Sequence, residues 1–216
     1  MQDRIYHKVT AIVLSVVILG VAVYGTYLPM RKAQIFIATL QSLQDPSTQA
    51  TSLQDLESRL SIPLDYPSPI GQEELVRNLG NSVLGFIQQG ADPTSTAELI
   101  TFLNSYYDPI LAQGKGMSFG QDLYLEGAVN ETAFASTGDP NYLAAALKYY
   151  QEGEMDGPNR PQPLYGLFDI YRAEGDATDT VAVGEKILSN WPTDTRIQAA
   201  LQAFLQSVSS TPAAAK

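Results

Sequence analysis

An uninterrupted apolar run near the start of the chain constrains this sequence most. Residues 9–28 read VTAIVLSVVILGVAVYGTYL and contain no charged side chain. At 1.5 Å of rise per residue, twenty residues form a helix of about 30 Å, the thickness of a bilayer's hydrocarbon core. Basic residues flank the run on both sides: Arg4, Lys8, Arg31 and Lys32. We therefore predict a transmembrane helix over 9–28 that contacts the lipid bilayer, preceded by a short tail at 1–8.

Two alternatives to a membrane anchor are a cleaved signal peptide and a buried core helix. A signal peptide usually has an apolar stretch of about 7 to 15 residues and a small-x-small cleavage site. Here the run is longer and continues through Tyr27 and Leu28 without such a site. The flanking charges balance, so the positive-inside rule does not decide orientation. The short tail favours a single-pass protein of the cell membrane with its C-terminal domain outside the cytoplasm.

The charge and residue types of the remaining chain limit its chemistry. Of the 13 basic residues four lie in the first 32 positions, with one of the 23 acids, which leaves 9 basic and 22 acidic residues. Such an acidic body repels phosphate backbones, so we predict no nucleic-acid partner. There is no cysteine, and the only histidine is His7 at the membrane edge. We therefore expect no catalytic residue, no metal site and no cofactor, and a protein that is not an enzyme.

Apolar residues after the anchor recur at helical spacing, which predicts an all-α fold. Residues 29–118 form a helical region interrupted by a proline-rich loop at 61–69, SIPLDYPSP. We expect one helix to begin at Ser68 and Pro69, and another to begin at Ser95 with a capping box. Pro109 should bend or break that helix near Tyr107.

The second half of the chain carries a repeated spacing. Pro158 and Pro192 lie 34 residues apart, and each follows an amphipathic run, so each should end a helix. Counting back from these prolines places small, aromatic and leucine residues at the positions typical of the tetratricopeptide repeat, a helical hairpin of 34 residues. The matching residues are Ala146, Tyr150, Gly153, Leu164, Leu167, Tyr171 and Gly175.

The resemblance to tetratricopeptide proteins implies a solenoid of antiparallel helical hairpins over 119–208, with a capping helix after Pro192 and a disordered tail at 209–216. Two positions depart from the pattern: Phe168 stands where a small residue is usual, and Gly184 where an aromatic is usual. We expect the phenyl ring to fill the space of the missing aromatic. An insertion at DPNY, residues 139–142, separates Gly138 from its expected position.

The whole chain is also similar, more loosely, to the C-terminal region of bacterial O-antigen ligase-like membrane proteins. The shared features are a terminal span that leads into YLPMRKAQIFIATLQSL, the proline-broken YPSPIGQEELVRNLG and tetratricopeptide-like units. This chain has one predicted span and none of that family's catalytic residues, so the resemblance does not extend to glycosyl transfer. It implies an accessory role in cell-surface polysaccharide assembly.

The sequence therefore predicts a membrane-anchored scaffold that binds a protein partner. In tetratricopeptide proteins the groove is lined by residues of the first helices, and here the candidates are Gln162, Tyr165, Asp169 and Arg172. Their alternative role is an ordinary solvated face. A second hypothesis is that residues 9–43 assemble several copies into a homo-oligomer or filament.

Overall fold

A computed structural model describes residues 2–116 and 118–210 of the chain. The described residues are predominantly helical and contain no strand, which confirms the all-α fold class. The helices are α1 (Gln2–Ala22), a π-helical segment (Val23–Tyr27), α2 (Leu28–Gln44), α3 (Leu53–Asp65), α4 (Gln72–Gln88), α5 (Pro93–Leu111), α6 (Phe119–Thr137), α7 (Pro140–Asp156), α8 (Pro161–Glu174), α9 (Ala177–Asn190) and α10 (Thr195–Ser210). Backbone contacts divide the chain into two compact units, with the boundary between Leu79 and Gly80.

In the first unit, one long helix runs from Tyr6 to Gln44 and is long and apolar enough to span a membrane. Its side chains from Tyr6 to Tyr27 are exposed. The residues ahead of the predicted span are already helical, because α1 begins at Gln2. Pro29 lies in the first turn of α2, which follows the π-helical segment directly. Leu28 N–H donates to Val23 O five residues back, and this wider turn leads into the proline, which has no N–H to pair.

The chain then folds back as a hairpin of α2 and α3. Ser52 caps α3 by accepting from Asp55 N–H, and the helix continues through Pro63 to Asp65. The prediction of a loop at 61–69 is therefore wrong at its start. Burial of Pro63 and Leu64 outweighs the local cost of a proline in the last helical turn. The loop occupies 66–71, and α4 begins at Gln72 rather than Ser68.

Two further expectations on α5, in the second unit, need correction. Its N-cap is Asp92, not Ser95, and the Asp92 carboxylate accepts from Thr94 N–H and Ser95 N–H. Pro109 does not break the helix, which continues to Leu111. A proline this close to the C-terminus interrupts little of the remaining hydrogen-bond ladder, and Tyr107, two residues before it, is fully buried.

The remaining helices of the second unit pack as neighbours: α6 on α7, α7 on α8, α8 on α9 and α9 on α10, with α6 also against α8. Both repeat prolines follow helix ends as predicted, since α7 ends at Asp156 and α9 at Asn190. Gly175 ends α8 with a φ of 75°, a conformation that glycine adopts without strain. The matching Ala146, Tyr150, Gly153, Leu164 and Leu167 are buried, whereas Tyr171 is half-buried.

The predicted volume exchange has a direct counterpart in this core. A Cβ added to Gly184 would lie 3.1 Å from Cε2 of Phe168, so the phenyl ring lies against the glycine. Ile197 and Leu201 of α10 complete the packing, while Gln198, Gln202 and Gln206 remain exposed as expected for a capping helix. Ser209 and Ser210 belong to α10, which corrects the start of the tail; its remainder, 211–216, lies outside the described residues.

Candidate functional site

A cavity of about 330 Å³ opens beside α6, α8 and α10, each of which is the first helix of its predicted repeat unit or cap. Its lining combines tyrosine rings with charged and amide groups. The lining residues are Tyr124, Glu131, Tyr150, Pro161, Gln162, Tyr165, Gly166, Asp169 and Arg196. Three of the four residues chosen from the sequence are among them.

The fourth candidate, Arg172, does not line this cavity. It is exposed and contributes instead to a shallow depression beside Ala200 and Phe204 of α10. Its guanidinium donates to Asp169 Oδ1 at 3.2 Å, one helical turn away. Arg172 therefore acts on the cavity only through the carboxylate that it helps to orient.

The inner wall of the cavity is the ring of Tyr150, which α7 inserts between two first helices. Gly127 of α6 and Gly166 of α8 face opposite sides of this ring. A Cβ on Gly127 would lie 2.5 Å from Tyr150 Cδ1, and a Cβ on Gly166 would lie 2.6 Å from Cδ2. Both distances are too short for a real contact, so only glycine permits the ring at this depth. The Tyr124 ring lies 6.1 Å from the Tyr150 ring, between centroids.

Two carboxylates give the cavity its charge. Tyr150 Oη donates to Glu131 Oε2 at 2.7 Å. Burial raises the pKa of Glu131, and the nearby negative charge of Asp169 raises it further, against the opposing effect of the tyrosine hydrogen bond. Asp169 in turn accepts from Arg196 of α10 at 3.0 Å. Of the two carboxylates, Asp169 therefore pairs with both Arg172 and Arg196, whereas Glu131 accepts from Tyr150.

Tyr165 links the cavity to the turn between α9 and α10. Its hydroxyl donates to Asp194 Oδ2, and this hydrogen bond raises the pKa of Tyr165. The Tyr165 ring stacks on Trp191, with the two centroids 6.4 Å apart. The Arg196 guanidinium lies over the Tyr165 ring, 5.3 Å from its centroid. These contacts fix the ring while leaving it half-buried, so it offers a rigid aromatic surface to a ligand.

Sequence reasoning missed Tyr124, Glu131 and Arg196. The first two lie seven residues apart on α6, two helical turns along one face. That spacing was a usable signal, but the first helix of this unit matches the repeat pattern poorly, so its groove positions could not be assigned by counting. Arg196 belongs to the capping helix, whose role was predicted from its apolar side alone.

The lining of the cavity offers several kinds of contact to a ligand. The described residues contain no group of three metal-ligating side chains. The cavity presents aromatic faces, carboxylates and an amide, which are groups that hold a ligand by stacking, charge and hydrogen bonds. Comparisons with protein-family models, curated proteins and solved structures found no match to this chain. The resemblances to tetratricopeptide and O-antigen ligase-like proteins therefore stay predictions.

Proposed function

We propose that this protein is a membrane-anchored scaffold that binds a protein partner in the cavity beside α6, α8 and α10. The observation that carries the proposal is the convergence of residues from three first helices on one open cavity. Its aromatic wall is held from behind by packing, since Tyr150 is buried between two glycines. Preorganised aromatic side chains of this kind contribute much of the energy at protein interfaces.

The chemistry of the cavity favours a partner segment with a basic side chain. The charge of Asp169 raises the pKa of Glu131, and a lysine or arginine bound beside Glu131 would offset that unfavourable interaction. The Tyr124 ring, which is 37% exposed, can receive a cation over its face. The acidic balance of the chain, net −10, adds a long-range attraction for a basic surface.

Anchoring by the first helix sets the place where this binding occurs. The exposed apolar side chains between Tyr6 and Tyr27 need a lipid environment, and a helix of that length reaches across a bilayer. We propose further that the second unit lies outside the cytoplasm. The resemblance to O-antigen ligase-like proteins supports a role beside cell-surface polysaccharide assembly.

The groove is tested by changing two of its residues together in the full-length membrane protein. Tyr165→Ala with Asp169→Ala removes an aromatic surface and a carboxylate, so co-purification of the native partner from detergent-solubilised membranes should fall at least tenfold. Glu174→Ala with Glu185→Ala is the matched control, because both side chains are exposed and do not line the cavity. Far-ultraviolet circular dichroism checks that the fold is intact, because Tyr165 stacks on Trp191 and its removal would change the tryptophan fluorescence directly. Full co-purification by a folded double variant would disprove the groove assignment.

Self-assembly is the alternative function, and the exposed apolar surface of the long first helix favours it. Helices of this kind can also pack against copies of themselves within a membrane. Solution mass after detergent extraction separates the two hypotheses, because a scaffold gives discrete small particles and an assembling subunit gives large polymers.

A further inference from the structure

Two exposed isoleucines in the first unit lie close to the C-terminal end of the predicted span. Ile62, near the end of α3, is 60% exposed, and Ile70, in the loop at 66–71, is 61% exposed. The loop between them also exposes Pro67 and Pro69. Single exposed apolar residues are common on proteins, so their position decides whether these two matter.

Lys32 fixes that position. Its ammonium donates to Leu64 O at 3.2 Å, to Tyr66 O at 2.9 Å and to Gln72 Oε1. The side chain is only 3% exposed, and all three of its donors have acceptors. The end of α3, the loop and the start of α4 are therefore attached to one point of α2.

That point lies close to the end of the span. Lys32 follows Leu28 by four residues, which is about 6 Å along a helix. The hairpin of α2 and α3 brings the end of α3 and the loop at 66–71 back to Lys32. The turn between α2 and α3 lies at the far end, where Arg59 donates to Thr48 O at 2.6 Å, and α3 then runs back to Lys32.

A loop that lies about 6 Å beyond the end of the span is at the level of the lipid headgroups of a bilayer that surrounds α1. The exposed apolar side chains at the end of the span include Tyr27 and Met30. Ile62 and Ile70 each lie two residues before an acceptor of Lys32, Leu64 and Gln72 respectively. Entry into the membrane interface costs little free energy for these residues. Isoleucine side chains are apolar, and prolines have no backbone N–H that would need a partner. Exposed Arg31 can meet lipid phosphates at the same level. Exposed Asp65 and Glu74 lie on the two sides of the loop and limit it to a shallow insertion.

We propose that the loop at 66–71 is a membrane contact in which Ile70 and Ile62 insert among lipid acyl chains beside the span. This inference rests on the membrane anchorage proposed above and adds a second attachment. A single helix can rotate and tilt in a bilayer, and a lateral contact of this kind fixes the first unit against the membrane surface.

The absence of native cysteine allows a direct test with single spin labels. Full-length variants Ile70→Cys, Ile62→Cys, Ile18→Cys and Gln54→Cys are labelled and reconstituted into vesicles of phosphatidylcholine and phosphatidylglycerol. Ile18 is the reference inside the span. Gln54 is the matched exposed control in the same unit, ten residues before Leu64 on α3, about 15 Å away along the helix. Accessibility to oxygen, which dissolves in lipid, is compared with accessibility to a water-soluble nickel chelate.

We expect the labels at positions 70 and 62 to resemble the label at 18 in excluding the nickel chelate, with the label at 54 accessible to it. The inference fails if the labels at 70 and 62 are as accessible to the chelate as the label at 54 while the label at 18 remains in lipid. A label at 18 that is itself accessible to the chelate would overturn the membrane anchor as well, so the two failures are distinguishable.

Discussion

Replacing Glu126 by glutamine is expected to flatten the pH dependence of stability of the second unit between about pH 4.5 and 8. Glu126 lies on α6 with no measurable exposure, and neither of its carboxylate oxygens has a hydrogen-bond partner among the described residues. Burial is the main cause, and together with the charges of Asp108 and Asp122 it raises the pKa of Glu126 from 4.5 to about 8. The carboxyl is therefore protonated in the folded state at neutral pH.

The direction of the effect follows from proton linkage. In the unfolded chain Glu126 loses its proton near pH 4.5, whereas in the folded unit it holds the proton to about pH 8. The folded state binds more protons in this window, so its stability is fully present below pH 4.5 and falls as pH rises to 8. One proton gives a slope of at most about 1.4 kcal/mol per pH unit. Glu131, whose pKa is also raised, should leave a smaller residual slope.

Urea unfolding at several pH values, followed by Trp191 fluorescence, measures this slope, because Trp191 is the only tryptophan and packs on the core of the second unit. Glu185→Gln is the matched control, since it removes an exposed carboxyl from α9. Asp92 and Asp194, whose pKa values are lowered by hydrogen bonds from Ser95 and Tyr165, affect stability only below about pH 4. An unchanged slope in Glu126→Gln would contradict the buried, protonated carboxyl.

Gly166→Ala is expected to destabilise the second unit by roughly 1 to 3 kcal/mol, the usual cost of forcing extra volume into a packed core. The new methyl group would overlap the Tyr150 ring, which cannot retreat because Gly127 limits it on the other side. Gly127→Ala should have a comparable effect for the same reason. Displacement of the ring would also break the hydrogen bond from Tyr150 to Glu131 and open the wall of the cavity.

Gly85→Ala provides the control for helix propensity. Gly85 lies within α4, and a Cβ there would meet nothing within 4 Å. Alanine should therefore be neutral or stabilise by up to about 1 kcal/mol, because it is the better helix former. Denaturation midpoints of the three variants compare these cases directly. Equal midpoints for Gly166→Ala and Gly85→Ala would show that the ring is not confined as described.

The sequence predicted the apolar helix, the all-α class and the helix ends at Pro158 and Pro192, because these depend on local rules of length, periodicity and proline chemistry. It failed where packing outweighs such rules. Pro63 and Pro109 are each accommodated near a helix end, and the long first helix passes Pro29 through a π-helical turn. A proline signal locates a boundary only when burial of its neighbours does not favour continuation.

In the candidate site, too, residues that follow a local pattern could be predicted and residues placed by packing could not. Gln162, Tyr165 and Asp169 could be assigned by counting within a well-matched repeat, and all three line the cavity. Glu131 and Tyr124 could not, because their helix precedes the insertion and lacks the matching pattern. Lys32 appeared to be one of four flanking charges, yet the fold buries it against three oxygen acceptors. Contacts between residues far apart in sequence carry no local signal, so such roles emerge only from the fold.

The most direct test of partner binding is crosslinking in intact cells from a photoreactive residue at Gln162, which is exposed and lines the cavity. The same residue placed at Glu185, exposed on α9 and outside the cavity, is the control. The account predicts a distinct crosslinked protein from position 162 that is absent from position 185 and is lost when Tyr165 and Asp169 are both changed to alanine. Identical crosslinking from both positions, or crosslinking that survives the double change, would contradict it.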